Sequence, residues 1–125
     1  MGAVVVAVAL GGCSGEDSGA TVDMAAGQQF SPDQIDVDAG QTVVFENVSD
    51  ESHTVTAYAD DLPDGADYFA SGGFDDEDSA RDSLTEALLE AGESFEVTPT
   101  EPGTYEYFCI PHESSGMKGT IVVHP

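Results

Sequence analysis

The sequence predicts an all-β protein in which two sheets pack face to face as a sandwich. Short runs of alternating or β-branched residues recur along the chain, with turn-forming residues between them. There is no internal repeat and no helical-bundle pattern, and 125 residues suffice for one domain with one core. Residues 28–32 should form a turn that carries Phe30. The candidate strands are residues 21–25, 34–37, 42–47, 53–58, 93–99, 105–109 and 120–123.

The strand over residues 105–109 can be predicted in more detail because its aromatic residues alternate. Tyr105, Tyr107 and Cys109 have the same parity, so their side chains should point inward together. Phe108 has the opposite parity and should point outward. This strand therefore delivers one cysteine to the interior of the sandwich.

The composition is strongly acidic, which bears on the partners of the protein. The sequence has 25 acidic residues against two basic ones, Arg81 and Lys118, and its formal net charge is −23. Nucleic acid and anionic membrane surfaces are therefore poor partners. An ordinary acidic domain needs less charge for solubility, so we expect a surface adapted to concentrated salt, where the Debye length is about 3 Å at about 1 M. At low salt the same charges should destabilise the fold.

Three side chains that can bind a metal lie close together near the C-terminus. Cys109, His112 and Met117 follow the spacing Cys-x2-His-x4-Met on one short loop between two predicted strands. A loop this short leaves the fourth position around an ion open, and His53 is the His in the body of the chain that could fill it. A thiolate, two imidazoles and a weak thioether are typical of a blue-copper electron-transfer site. We therefore predict that these four residues bind one copper ion.

Each ligand candidate also has an ordinary explanation when it is considered alone. A lone Cys is usually a small buried hydrophobic residue, a lone Met usually fills a core, and a His at the start of a strand usually lies on the surface. The four residues in this order and spacing make those explanations improbable. Zinc is the competing ion, since Cys and two His also bind it. Met117 favours copper, which accepts thioether sulfur more readily.

The order of these residues resembles that of a known family. The pattern His53…Cys109-x-Pro-His112-x4-Met117 is similar to that of the cupredoxins, and among them to plastocyanin and to the halocyanins, the membrane-anchored copper proteins of halophiles. The resemblance implies a Greek-key β-sandwich over residues 21–125, with a mononuclear type 1 copper site that carries one electron. Further segments that match are Phe30-Ser-Pro32, Val43-Val-Phe45, Ser52-His-Thr-Val55, Gly92-Glu93 and Gly103-Thr-Tyr105.

A long loop, residues 59–91, separates the strands that bear the ligands, and two predictions compete for its last part. Residues 79–89 have helical periodicity, with Ser79 as a candidate N-cap and Gly92 as a candidate C′ residue. The resemblance implies an extended segment before Gly92 instead. A short helix that ends before Leu88 would satisfy both.

The resemblance also implies specific surroundings for the thiolate. Thr54 stands where relatives usually have Asn, and its backbone N–H should donate to the Cys109 sulfur. The Thr54 hydroxyl could replace the side-chain link that stiffens the loop in relatives. Phe108 stands where plant plastocyanins have a Tyr in a second, acidic docking area. A plain exposed aromatic residue is an equally good interpretation of that position.

The main docking surface implied by the resemblance lies around the second His. The ring edge of His112 should reach the surface within an apolar patch. Ile110, Pro111, Gly116 and Phe30 are the candidates for that patch. We expect partner proteins to bind there, since high salt would screen long-range electrostatic steering.

The N-terminal residues are predicted to direct and anchor the protein. Residues 1–12 are small and apolar and too short to span a bilayer, so they are predicted to be a secretion signal, truncated because no basic residue precedes the apolar run. Cys13 follows Leu10-Gly-Gly in a pattern that resembles a lipobox, and residues 13–20 would be the lipid-bearing Cys and a flexible linker. A buried N-terminal strand is the alternative. No disulfide between Cys13 and Cys109 is expected, since each thiol has a better explanation.

Together these features predict a one-electron carrier rather than an enzyme. It would be a monomer, lipid-anchored on the extracytoplasmic face of the cell membrane, that exchanges electrons with membrane-bound or peripheral redox proteins. A copper oxidase would need further coppers and more His than the spare His124. The alternatives are a copper storage or delivery protein and a metal-free binding domain. Asn47-Val-Ser49 also matches a glycosylation acceptor, a pattern that is common by chance.

Overall fold

Two four-stranded sheets make up the body of the protein, which a computed structural model describes over residues 18–125. The strands are β1 (Ser18–Ala25), β2 (Gln29–Ser31), β3 (Gln34–Asp38), β4 (Thr42–Asn47), β5 (Thr56–Ala57), β6 (Ser94–Val97), β7 (Gly103–Phe108) and β8 (Lys118–His124). Two short helices are α1 (Glu77–Asp82) and α2 (Leu84–Ala87). Turns of 3₁₀ helix are Ala59–Asp61 and Ile110–Ser115.

The order of the strands confirms the predicted sandwich. One sheet has the order β2-β1-β4-β6 and the other has the order β3-β8-β7-β5. β1 pairs in parallel with β4, and β3 pairs in parallel with β8, whereas the remaining neighbours are antiparallel. The chain thus crosses from one sheet to the other at every connection from β2 to β7. β7 and β8 are consecutive antiparallel neighbours in one sheet, so the loop that joins them, residues 109–117, lies at one end of the sandwich.

The core lies between the inner faces of the two sheets. Tyr107 is fully buried at its centre, and its ring meets the rings of Phe30 and Phe45 edge to face, with centroids 4.8 Å and 5.1 Å away. Each such aromatic pair adds about 0.5–1.5 kcal/mol beyond the apolar area that it buries. Tyr105 and Cys109 are buried on the same side, as their parity predicts. The aromatic core therefore extends directly to Cys109, the first residue of the loop that joins β7 to β8.

Two predictions about the first strands are wrong in detail. The first strand begins at Ser18, three residues before the predicted start, because the added residues pair with β4. The segment 28–32, predicted as a turn, contains strand β2, which pairs antiparallel with β1. Phe30 is only 3% exposed on that strand. It belongs to the core and not to a surface patch.

The long loop contains a helix and then an extended segment, so each competing prediction is correct for part of it. α1 begins after Asp76, whose carboxylate accepts the backbone N–H of Ser79 at 2.7 Å. Asp76, and not Ser79, is therefore the N-cap. α2 ends at Ala87, so Gly92 is too far along the chain to be its C′ residue and lies in a later turn. No helix within residues 18–125 is long and apolar enough to cross a membrane.

Candidate metal centre

His53 is positioned by a backbone bridge to the end of the long loop. The predicted strand over residues 53–58 is reduced to β5, and His53 lies before it in an isolated antiparallel bridge with Leu89. The Leu89 N–H donates to the His53 carbonyl at 2.7 Å, and the His53 N–H donates to the Leu89 carbonyl at 3.1 Å. The His53 side chain is fully buried. Leu89, 36 positions away along the chain, thus holds this ligand in place, a contact that local sequence patterns do not reveal.

The other three predicted ligands come from one closed loop, residues 109–117, which is the ligand loop. Cys109 directly follows β7 and Met117 directly precedes β8, with the turn Ile110–Ser115 between them. The Cys109 N–H donates to the Met117 carbonyl at 3.0 Å, and the Met117 N–H donates to the His112 carbonyl at 3.2 Å. Gly116 ends the turn with a φ of 86°, which glycine adopts without steric cost. These backbone contacts close the loop on itself.

Three side-chain atoms converge at the centre of the site. The Cys109 sulfur lies 3.3 Å from Nδ1 of His112 and 3.7 Å from Nδ1 of His53, and the two Nδ1 atoms are 3.2 Å apart. Ligand atoms bound to one ion at about 2.0–2.3 Å have separations of this size. Met117 is fully buried in the same core cluster as Cys109. Within residues 18–125, this is the one group of three or more His, Cys, Asp or Glu side chains arranged to hold a metal ion.

Burial changes the pKa values of two of these ligands in ways that bear on metal binding. It raises the pKa of the Cys109 thiol above its ordinary value, although hydrogen bonds from Thr54 and His112 partly oppose this. It lowers the pKa of the His53 imidazole, and the neighbouring His112 lowers it further. His53 is therefore ready to bind a cation, whereas the thiol must first lose its proton. Metal binding should release that proton and become tighter as the pH rises.

The contacts around the thiol agree with those that the family resemblance implies. The Thr54 N–H donates to the Cys109 sulfur at 3.3 Å. The Ile110 N–H donates to the Thr54 hydroxyl oxygen at 2.8 Å, so Thr54 links the segment of His53 to the ligand loop. Donors of this kind restrict the position of a metal-bound sulfur. Cys109 is a free, buried cysteine, and Cys13 lies outside the described residues.

A cluster around Arg81 holds the ligand loop from outside, and sequence reasoning missed it. The Arg81 guanidinium donates to both carboxylate oxygens of Glu113, at 2.9 Å and 3.3 Å, and to Glu77 at 2.8 Å. The Tyr58 hydroxyl donates to Glu113 at 2.7 Å. Glu113 follows a metal-ligand candidate directly, so this cluster connects α1 to the loop. The one available signal was compositional, a single Arg among 25 acidic residues.

Phe108 is buried by the same cluster, which corrects the prediction of an exposed side chain. It lies on the side of β7 that faces away from the main core, as its parity predicts, yet none of its surface is exposed. The Arg81 guanidinium carbon lies 4.4 Å from its ring centre. The Tyr58 ring stacks on it at 4.3 Å with an interplanar angle of 25°. Phe108 is therefore closed to direct contact with a partner.

A second network that sequence reasoning missed surrounds the outer edge of the His53 ring. Nε2 of His53 lies 2.9 Å from the Ser49 hydroxyl oxygen, which lies 2.7 Å from Oδ1 of Asn47. Asn47 is 1% exposed, and its amide nitrogen donates to the carbonyls of Glu51 and Leu89 at 2.7 Å and 2.9 Å. In the folded chain this nitrogen is thus occupied and inaccessible as a glycosylation site.

The surface at the ligand loop agrees with part of the predicted patch. Pro111 and Gly116 are exposed, and Ile110 and His112 are partly exposed. Phe30 does not contribute, since it lies in the core. Lys118 is exposed, with its ammonium 5.7 Å from the Tyr58 ring centre.

Comparison with known sequences assigns most of the chain to one family. Residues 17–124 match the family described as copper binding proteins, plastocyanin/azurin family. The chain is 36% identical over 98 residues to plastocyanin A/B of Petroselinum crispum, which covers 78% of this chain and 90% of that protein. It is also 36% identical over 109 residues to plastocyanin of Daucus carota, at 87% and 94% coverage. The match spans about half, 52%, of the chloroplastic plastocyanin major isoform of Arabidopsis thaliana.

Solved structures of the same family have the same fold. A mutant plastocyanin of a fern, determined in oxidised and reduced forms, superimposes with a TM-score of 0.58 at 30% identity, covering 82% of this chain and 98% of that one. A Cu(I) form of an amicyanin mutant gives a TM-score of 0.62 at 25% identity, with 85% and 82% coverage. With the family match over residues 17–124 and the Cys109, His112 and His53 cluster in place, the chain belongs to the plastocyanin/azurin family of copper-binding proteins.

Proposed function

We propose that this protein is a one-electron carrier in which His53, Cys109, His112 and Met117 bind a single copper ion. The convergence of the Cys109 sulfur with two imidazole nitrogens, at separations of 3.2–3.7 Å, is the observation that carries the proposal. Copper held by a thiolate, two imidazoles and a weak thioether takes up and releases one electron at such a site.

The scaffold supports this function because contacts within the protein itself hold the candidate ligands. A backbone bridge holds His53, the loop closes through backbone bonds, and Thr54 connects the two parts. A ligand set that is held in this way has little freedom to rearrange when the charge on the ion changes. Small rearrangement is what rapid electron transfer needs, whereas a storage or delivery protein benefits from ligands that open readily.

The proposal is tested by the optical and EPR spectra of the full chain after Cu(II) is added in high salt. An intense blue thiolate-to-copper band with narrow copper hyperfine splitting is expected. Cys109→Ser should abolish the band. His124→Ala is the matched control and should leave the band unchanged, since His124 is exposed and pairs with Asp36. A pale complex with ordinary hyperfine splitting would contradict the proposal and favour zinc binding or copper handling.

We also propose that the carrier is held at the extracytoplasmic face of the membrane by a lipid on Cys13. The lipobox-like pattern before Cys13 supports this. One lipid chain binds a membrane only marginally, so a stable anchor needs two or more. Cells that express the Cys13→Ala chain should release the protein into the soluble fraction, and mass spectrometry of the membrane-bound protein should show acyl chains. Retention of Cys13→Ala in the membrane would contradict the anchor.

The partners that we propose are redox proteins of the same membrane, which dock at the surface of the ligand loop. Ile110, Pro111 and Gly116 give that surface little charge, and His112 is partly exposed there. The net charge of −23 supports a working environment of concentrated salt, where such a contact is favoured over charge steering. Electron-transfer rates with a purified partner should then depend weakly on salt above about 1 M.

A further inference from the structure

We propose that Ser49 is a positioning residue for the metal centre, whose hydroxyl accepts the Nε2 proton of His53 and so leaves Nδ1 bare toward the metal. The functional consequence rests on the proposed role of His53 as a ligand. The tautomer itself is a property of the metal-free protein, and it can be measured without any metal. Three hydrogen-bond assignments, each of which determines the next, lead to it.

The orientation of the Asn47 amide is determined first. One end of the amide lies 2.7 Å from the Glu51 carbonyl oxygen and 2.9 Å from the Leu89 carbonyl oxygen. Both are acceptors, so this end must be the NH₂ group, which has two protons to donate. The other end is then Oδ1, which can only accept. Asn47 is almost fully buried, so water does not offer these groups an alternative.

The proton of the Ser49 hydroxyl is determined next. The hydroxyl oxygen lies 2.7 Å from Oδ1 of Asn47 and 3.2 Å from the Glu51 carbonyl oxygen. Both partners can only accept, and two oxygens 2.7 Å apart attract each other only with a proton between them, so the single hydroxyl proton points at Oδ1 of Asn47. The Glu51 N–H also donates to the Ser49 oxygen, at 3.2 Å. That oxygen is left with one lone pair and no proton for its remaining neighbour.

The remaining neighbour is the His53 ring. Nε2 of His53 lies 2.9 Å from the Ser49 oxygen. The oxygen has no proton to offer, so Nε2 must be the donor. In a neutral imidazole one nitrogen is protonated and the other is an acceptor. Nδ1 is therefore bare, and it faces the Cys109 sulfur at 3.7 Å and Nδ1 of His112 at 3.2 Å.

This arrangement makes the ring a ready ligand. A bare nitrogen with a lone pair is what a cation binds, and a second bond at the opposite nitrogen fixes the orientation of the ring. Ser49 lies four residues before His53 and is only 7% exposed, so few other acceptors can replace its hydroxyl. Removal of such a partner costs about 10–100-fold in metal affinity.

The test compares Ser49→Ala with Ser52→Ala in the full chain at high salt. Ser52 is the matched control because its hydroxyl bonds the exposed Glu90 carboxylate rather than the imidazole. Long-range ¹H–¹⁵N NMR of the metal-free protein should show Nε2–H as the sole His53 tautomer in the wild type and in Ser52→Ala. In Ser49→Ala the Nδ1–H form should become populated. Copper affinity, measured by competition with a chelator, should fall about 10–100-fold in Ser49→Ala alone.

Three outcomes would overturn the inference. One is a wild-type protein in which Nδ1 of His53 carries the proton. Another is a Ser49→Ala protein that keeps Nε2–H as the sole tautomer, and a third is one that keeps wild-type copper affinity. The wild-type measurement decides the tautomer even if Ser49→Ala does not fold, and Ser49→Thr, which keeps the hydroxyl, should restore affinity if Ser49→Ala loses it. A correct tautomer in a protein whose copper complex is not blue would refute the proposed function and leave this inference standing.

Discussion

The two halves of the metal centre are held by different physical means. On one side, neutral hydrogen bonds in the interior hold His53, through Ser49 and Asn47. On the other side, an ion pair at the surface holds the ligand loop, with Arg81 and Glu113 side chains that are 34% and 30% exposed. The first network contains no formal charge, and the second depends on opposite charges.

This contrast predicts that salt should act differently on the two halves of the site. Buried neutral hydrogen bonds do not weaken as ions are added, whereas partly exposed ion pairs are screened, with a Debye length of about 3 Å at about 1 M salt. The hydrogen bonds that hold His53 should therefore contribute the same stability at every ionic strength. The cluster around Arg81 should brace the loop most strongly at low salt, where the charge of −23 is most disruptive.

The largest effect is expected from Asn47→Ala, which removes the centre of the neutral network. The carbonyls of Glu51 and Leu89 would lose their best donor, and the Ser49 hydroxyl would lose its acceptor. The Leu89 carbonyl keeps the His53 N–H as a donor, so one or two buried groups are left without a partner. At about 1–3 kcal/mol for each such group, the free energy of unfolding should fall by about 2–4 kcal/mol.

Chemical denaturation at low and at high salt measures this loss, which should be equal at both. Gln34→Ala is the control, because it also removes an amide but at an exposed position. A loss that shrinks markedly with salt would show that the network is not insulated from the surface charges.

Arg81→Met should have the next largest effect, and that effect should depend on salt. The substitution removes the ion pairs with Glu77 and Glu113 and the contact of the guanidinium with Phe108. A partly exposed pair contributes up to about 1 kcal/mol and a cation–π contact about 0.5–1 kcal/mol. The free energy of unfolding should fall by about 1–2 kcal/mol at low salt and by less at high salt.

Lys118→Met is the matched control, since it removes the other basic residue, whose nearest aromatic contact is 5.7 Å away. It should change stability less than Arg81→Met at low salt. If Arg81→Met lowered the free energy of unfolding by the same amount at every salt concentration, Arg81 would act by covering Phe108 and not through its charge.

Gly116→Ala tests a part of the loop that should not respond to salt. At a φ of 86° an alanine costs about 1 kcal/mol relative to glycine, although no heavy atom lies within 4 Å of the added methyl group. Gly116→Asn should cost less, because Asn tolerates this conformation better. Thermal or chemical unfolding of both variants at two salt concentrations measures this. Equal costs for Ala and Asn would contradict a backbone origin.

The smallest effect concerns the start of α1, the helix that carries Arg81. The Asp76 carboxylate accepts a hydrogen bond from the backbone N–H of Ser79. This hydrogen bond lowers the pKa of the carboxyl below its ordinary value of 3.8. The cap should therefore contribute fully above pH 3.8 and be lost as the pH falls through the lower value of the folded state.

The amide signal of Ser79 in NMR spectra should report this titration, with its midpoint below 3.8. In Asp76→Asn, which keeps an acceptor but cannot ionise, the pH dependence should vanish. A midpoint above 3.8 would contradict the role of Asp76 as the cap.

Much of the metal centre could be predicted because three of its four candidate ligands lie close together in the sequence. Cys109, His112 and Met117 lie within nine residues, and the two strands on either side determine that they share one loop. The Thr54 contact with the sulfur followed from the family resemblance, since it needs only a backbone N–H. The prediction that His53 starts a regular strand was wrong, because the bridge that holds it comes from Leu89.

Local patterns were enough to predict the all-β sandwich, the inward-facing side chains of β7 and the three candidate ligands on one loop, because alternation and short spacing act between near neighbours along the chain. His53 was added as the remaining His in the body of the chain. The groups that cover Phe108 and hold the ligand loop became visible only in the folded structure. Arg81 and Glu113 are 32 residues apart, and nothing in the pattern around either one specifies the other. The burial of Phe108 and the tautomer of His53 depend on which groups the fold brings within about 3–4 Å, and such contacts are properties of packing rather than of local sequence.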